Sequence, residues 1–527
     1  MDNQQKATQE KKPFKQKLDK FFMISERGSN FKTETIAGLT TFFAMAYIVV
    51  TNPNQITSFG AFSGNSAMDK IWYAVYVASI LVAVVGTMLM SLYAKMPLAQ
   101  ACGMGLNSFF FVSFVLPALL SGGDLIQGYQ EGLAVILLSG LVFMILSLTG
   151  ARGYIAKSLP DNLKKAIPAG IGLFIALLGF KSVDMIQTNQ YTLVQFFDFK
   201  GILDAVGKSQ LELAATGASK GVLAAYSAAL GSDVLREITM MDAWRLIAPV
   251  VLTLVGLCMM GILTHKKVSG SVIYTILGTS VLYYLLTWQL PAFSFTSIGD
   301  SFKAFGEIGI FGAFKGFGTL FAAADGETVF GVVLSAVVLV ITFTLVDMFD
   351  TIGTLYGACS QGNMLDENGD PINMGKCMNS DSIATAAGAV LGTSTCTTFV
   401  ESSAGVGVGG RTGFASLITS ICFLLCLFLT PLATIIPACA TAPALIYIGV
   451  LMLKGFAKVD MDDLTSAIPA FLALVMMPLT YSISNGIAIG AIAYVLIRLL
   501  TGKYSKKDIV VTVIAILFGL RFFLISM

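Results

Sequence analysis

The sequence predicts an all-α polytopic membrane protein whose fourteen spans repeat as seven plus seven, with short broken spans at the third and tenth positions. Three observations carry this prediction. Of 527 residues, 55% are hydrophobic and only 12% charged, with a mean hydropathy of +0.79; a soluble domain carries about 25% charged residues. Apolar runs of roughly 18–25 residues recur from Ile36 to the C-terminus, each long enough to span a bilayer as a helix. Carboxylates also stand inside apolar sequence: Asp347 and Asp350 near the end of the run 332–358, and Glu401 in a Gly/Ser/Thr-rich break at 391–414. An acid kept in hydrocarbon is costly and marks a pathway, a proton relay or a ligand site. Gly-interrupted spans in matching halves point to the binding site of a carrier.

Taken in order, residues 1–30 have neither an apolar signal core nor a cleavage site and read as a basic, largely disordered cytoplasmic leader. The first repeat, 31–290, holds spans at about 36–56, 72–94, 98–116, 131–150, 165–182, 245–264 and 270–288, with a long external loop at 183–242. The second, 291–501, holds spans at about 330–356, 380–393, 399–408, 412–436, 442–456, 467–483 and 485–501. Residues 467–501 are continuously apolar, and one helix of that length would run roughly 50 Å against a hydrocarbon core of about 30 Å. The polar residues Ser484 and Asn485, with Gly486, divide it. Loop charges agree: Lys95, Arg152, Lys157, Lys164, Lys165, Lys266, Lys376, Arg411, Lys454, Lys503 and Lys506 share the side of the N-terminus only if 467–501 crosses twice. The tail 502–527 is basic then apolar, and hydropathy leaves open whether 508–525 spans.

A weak internal repeat supports the two halves. MPLAQACGMGLNSFFF (96–111) and GTSTCTTFVESSAGVG (392–407) are both small-residue segments with one polar residue, Asn107 or Glu401, in the matching place. Each is followed by a long apolar span and then a proline-led one, IPAGIGLFIALLGF (167–180) or APALIYIGVLML (442–453). Seven spans before the second copy invert it relative to the first, although apolar segments also resemble one another by chance.

Other classes are disfavoured. A net charge of +2 suggests no nucleic-acid partner, and eight cysteines without a CxxC pair, beside a single histidine, argue against zinc, haem or a disulfide framework. No metal or cofactor is expected. GVGVGG (405–410) lacks a βαβ setting and reads as close helix packing. DENGD (366–370) has Pro371 where a calcium loop needs glycine and reads as a turn; His265 lies in a basic loop.

DTIGTLYG (350–357), TSTCTTFVESSAGVGVGGRTG (393–413), GMGLNSFF (103–110) and ETIAGLTTFFAMAYIVVTNPNQI (34–56) together resemble the AzgA-like purine permeases of the nucleobase–cation symporter-2 superfamily. The likeness covers nearly all of the spanning region. It implies a 14-helix inverted repeat with core and gate domains, a substrate site between spans 3, 8 and 10, and proton symport of adenine, guanine or hypoxanthine. The loop 183–242 and the stretch 508–525 depart from the pattern. The implied partners are a purine, a proton and the lipid bilayer of a plasma or inner membrane; a homodimer is compatible with the sequence.

Among the acids, DTIG matches the eighth-span acid of the resemblance and favours Asp350 over Asp347 as substrate ligand, with Asp347 three residues earlier tuning it or capping backbone. A carboxylate suits a purine because it accepts from adjacent ring and exocyclic N–H donors in one plane. Glu401, Asp350 and Asp347 are the candidates for carrying the proton. Glu401 has a rival role, because Thr398 and Glu401 are spaced as a capping box; free amides at such a helix start also bind ligand acceptors. Thr397, Thr398 and Ser402 offer hydroxyls or ordinary packing, and Asn107 offers an amide to the ligand or to a neighbouring helix. Phe109 to Phe111 read as packing before stacking, and Asp381 as an N-cap before a core partner. The rivals are another nucleobase (uracil or xanthine) or a small anion on the same fold. An anion is disfavoured by two acids with no basic residue assigned to the site. An intramembrane enzyme lacks a nucleophile–base pair.

Overall fold

The computed structural model describes residues 15–58, 60–61, 64–149, 160–189, 193–215, 222, 226, 236–266, 268, 270–291, 295–321, 329–367 and 370–524. The first fourteen residues of the leader, residues 150–159 with Arg152 and Lys157, and part of the loop 183–242 lie outside them. Each expected span has a helix at its position. Among the described residues nine helices are long and apolar enough to cross a membrane, and Ser271–Thr287, Leu464–Leu479, Ile483–Leu500 and Ile509–Leu524 are shorter apolar helices.

The elements that build the site are α1 (Phe31–Met45), α2 (Ile48–Ile56), the strand β1 (Gln100–Cys102), α3 (Met104–Phe110) and α4 (Asp161–Lys181) from the first half. The second half supplies α5 (Val329–Gln361), α6 (Met374–Leu391), the strand β2 (Cys396–Thr398), α7 (Ser402–Gly407), α8 (Gly413–Leu425) and α9 (Ala438–Leu453). The helices sort into two groups by what they pack against. In one, α4 and α9 lie together with Met240–His265, Ser271–Thr287, Leu464–Leu479 and Ile483–Leu500. In the other, α1, Ser66–Leu89, Leu125–Leu148, α5, α6, α7 and α8 surround the two strands.

The halves meet through equivalent pieces. Strands β1 and β2 pair antiparallel, Gln100 opposite Thr398 and Cys102 opposite Cys396, and each runs into a short helix. The proline-led helices α4 and α9, with Pro168 and Pro443 inside them, cross at glycines. A Cβ on Gly449 would stand 2.5 Å from the Gly172 carbonyl oxygen, and one on Gly172 2.9 Å from that of Gly449, so backbone meets backbone there.

Several expectations shift. The break in 467–501 falls at Thr480–Ser482, not at 484–486: Tyr481 turns the chain at φ 53° and the Ser482 side chain caps the next helix. The last apolar stretch is one helix, packed on Ile483–Leu500 and on α5. The described part of the leader is helical over 15–22 and packed on the protein, with Phe22 and Ile24 buried and Arg27 donating to the carbonyls of Lys95 and Arg411 at 2.8 and 3.0 Å. The described part of 183–242 folds as a hairpin, Ile186–Asn189 with Leu193–Phe196, and two short helices.

Candidate functional site

A cavity of about 700 Å³ lies between the two helix groups. One wall is the first turn of α3 (Met104, Gly105), the α5 residues Asp350, Gly353 and Thr354, and the segment Thr397–Glu401. The facing wall is α4 and α9, with Pro168, Ile175, Ile448 and Met452. Asp161, Lys164, Lys165 and Tyr356 stand at its mouth, where Lys164 pairs with Asp161 at 3.2 Å.

The strand crossing places the polar wall. Backbone that is not helical at membrane depth must find its hydrogen bonds inside the protein. Here the Gly103 amide donates to the Thr395 carbonyl and the Phe399 amide to the Ala99 carbonyl, both at 3.0 Å. Behind the strands is a fully buried polar layer. Gln100 Nε2 donates to Asp381 Oδ1 at 2.9 Å and to Thr398 Oγ1 at 3.3 Å. Thr351 Oγ1 donates to Asp381 Oδ2 at 2.6 Å, lies 2.8 Å from Thr397 Oγ1, and accepts from the Thr398 amide at 3.3 Å. Asp347 Oδ2 accepts from Thr385 Oγ1 at 2.8 Å.

These contacts sort the expected residues. Asp350 lines the cavity, whereas Asp347 is buried on the side of α5 that faces α6 and β2, four residues before Thr351 on the same helical stripe. Glu401 and Thr398 line the cavity; Asn107 and Ser402 do not. Asn107 is 0% exposed, donates to Gln55 Oε1 at 3.1 Å and accepts from Ser394 Oγ, which is the interhelical alternative. Ser402 Oγ accepts from the Ala99 amide at 3.0 Å and ties α7 to the first strand's approach. Asp381 is no N-cap: Asn373 holds that position on α6, and Asp381 is buried two turns later with two donors of its own.

The Thr398–Glu401 capping box is absent. Glu401 sits at the N-cap of α7 without a side-chain cap bond, and Thr398 belongs to β2. The amides of Ser402 and Ser403 are taken by the carbonyls of Phe399 and Val400, so they are engaged within the turn itself. Glu401 Oε1 instead accepts a 2.6 Å hydrogen bond from the Tyr47 hydroxyl, at the break between α1 and α2. Phe109 packs on Phe343 with ring centroids 4.9 Å apart, as expected of packing; Phe399, not singled out by sequence, lines the cavity beside Glu401, with Tyr356 at the mouth. Tyr47, Gln100 and Thr351 were also missed. Tyr47 and Thr351 lie within segments quoted for the resemblance, but nothing in their spacing distinguished them.

Two interlocked helix groups, a pair of crossed strands and a carboxylate-bearing cavity between them define a multi-pass membrane transporter. The chain belongs to the Permease family, whose model matches residues 32–231 and 217–489. It is 32% identical over 516 residues to the adenine permease AdeQ of Escherichia coli, covering 97% of each chain. It is 34% identical over 503 residues to the guanine/hypoxanthine permease PbuG of Bacillus subtilis, covering 95% of this chain and 98% of that one. Among solved structures, the transmembrane domain of the cyanobacterial bicarbonate transporter BicA aligns with a TM-score of 0.51 at 15% identity, covering 92% of this chain and 97% of that one, a likeness of fold.

Proposed function

We propose that this protein takes up purine nucleobases (guanine, hypoxanthine or adenine) across the cell membrane by alternating access, driven by protons. The observation that carries the reading is the placement of Asp350 and Glu401, from different elements, on one wall of the same cavity. Carboxylates there accept the N–H donors of a purine edge, and Thr397 and Thr398 line the same wall with their hydroxyls engaged in the layer behind it. The names of the relatives favour purines over other solutes. Asn107 and Ser402 hold the wall from behind and act on substrate through the strands they fasten.

Glu401, Asp350 and Asp347 are the groups proposed to exchange the proton. Alternating access would come from movement of the α4–α9 group against the strand-bearing group, with the cavity of this structure open on the side of Lys164 and Lys165. That side is cytoplasmic if the loop lysines follow the positive-inside pattern.

Uptake of radiolabelled hypoxanthine, guanine and adenine by the purified protein in liposomes tests this, with uracil, xanthine and bicarbonate as competitors. An inward proton gradient should drive accumulation, an uncoupler should collapse it, and replacing sodium should leave it unchanged. Accumulation that follows sodium, or competition by bicarbonate alone, would refute the proposal.

A further inference from the structure

We infer that Tyr47 is a positioning residue for Glu401, and that its hydroxyl sets the pH range over which the carrier works; the inference rests on the proposed role of Glu401 in proton exchange. Tyr47 is 2% exposed and occupies the turn where α1 stops and α2 begins, its carbonyl accepting from the amides of Val50 and Thr51. A buried phenol needs a hydrogen-bond partner. This one has the carboxylate of Glu401, 354 positions away, at 2.6 Å.

The geometry around the pair is tight. Helix α7, which starts just after Glu401, lies directly on α1, where Gly405 faces Thr41 and the Ala37 carbonyl. The hydroxyl is therefore delivered by the turn that ends α1, and the carboxylate by an element packed against α1. A donor aimed at a carboxylate does two things. It fixes which rotamer faces the cavity, and it favours the ionised over the protonated acid. Other charged or titratable groups share the surroundings. Asp350 comes from α5, Lys164, Lys165 and Asp161 stand at the mouth on α4, Tyr356 is further along α5, and Tyr447 lies on α9. Of these, Tyr47 is the one hydrogen-bonded to Glu401 in this structure.

Tyr47→Phe removes the hydroxyl and keeps the ring, so it separates this role from packing. Uptake of labelled hypoxanthine by the reconstituted protein should show its pH midpoint moved upward by about one to two pH units, the equivalent of one hydrogen bond to a charged group. Thermal unfolding should change least below the midpoint, where Glu401 is protonated. An unchanged profile would overturn the inference.

A second readout needs no substrate. In pH-difference infrared spectra of the purified protein, the protonated-carboxyl band lost in Glu401→Gln belongs to Glu401. Tyr47→Phe should carry that band's appearance to higher pH. If the band moves but no purine is taken up, the substrate assignment fails and Tyr47 keeps its role. If uptake is proton-driven and the band stays, the role of Tyr47 fails alone. Absence of any band assignable to Glu401 between pH 4 and 9 would also count against it, as roughly that range spans the shifts a carboxylate undergoes.

Discussion

Replacing Gly405 with alanine tests how closely the first helix must lie on α7 for the site to form. The added Cβ would stand 2.1 Å from Thr41 Oγ1 and 2.6 Å from the Ala37 carbonyl oxygen. The threonine can turn away, but the carbonyl belongs to the backbone of α1 and cannot. Reaching ordinary contact at 3.4 Å requires the two helices to part by roughly 0.8 Å at this point. Overpacking of this kind costs about 1–3 kcal/mol. The Tyr47–Glu401 bond, 2.6 Å across the same interface, would lengthen toward roughly 3.4 Å, past the usual range for an O–H···O bond. Gly405→Ala should therefore lower the unfolding temperature in detergent by a few degrees and also move the pH profile of uptake as Tyr47→Phe does. Adding Thr41→Ala should recover only part of the stability, since the carbonyl remains. Wild-type unfolding together with a wild-type pH profile would refute the reasoning, because it would mean that α1 and α7 are free to separate without consequence.

Other outcomes follow from individual contacts. Glu34, fully buried on α1, accepts from the Arg411 and Thr412 amides at 2.9 and 3.3 Å, so Glu34→Ala should cost about 2–4 kcal/mol in thermal unfolding, and Glu34→Gln less. Asp350→Asn should abolish purine uptake at normal membrane expression while Asp347→Asn is milder; equal loss from both would mean that the two faces of α5 are not functionally distinct. Cysteines introduced at positions 157 and 506 should resist labelling from outside and one at 122 should react, whereas labelling at 506 would show that 467–501 crosses once.

Hydropathy placed a helix at each long apolar stretch, because burying an unpaired backbone in hydrocarbon leaves the helix as the available local solution. It also placed the broken segments at 96–111 and 392–407, since small and polar residues interrupt apolar runs there. The acids 350 and 401 stood out for the same reason. The partners of those acids were not legible. Asp347 and Asp350 differ by three residues, yet one faces α6 and the other the cavity, which depends on how α5 is rotated against its neighbours. Glu401 had the spacing of a helix cap, and a local rule would have satisfied it; a phenol from the other half took that place. Asp381 looked like a helix start and proved to anchor Gln100 and Thr351 across the strand crossing. Contacts between residues hundreds of positions apart depend on relative placement of whole helices, and only the packed structure decides it. Period and polarity along one chain report which face is apolar, but not which distant side chain meets it.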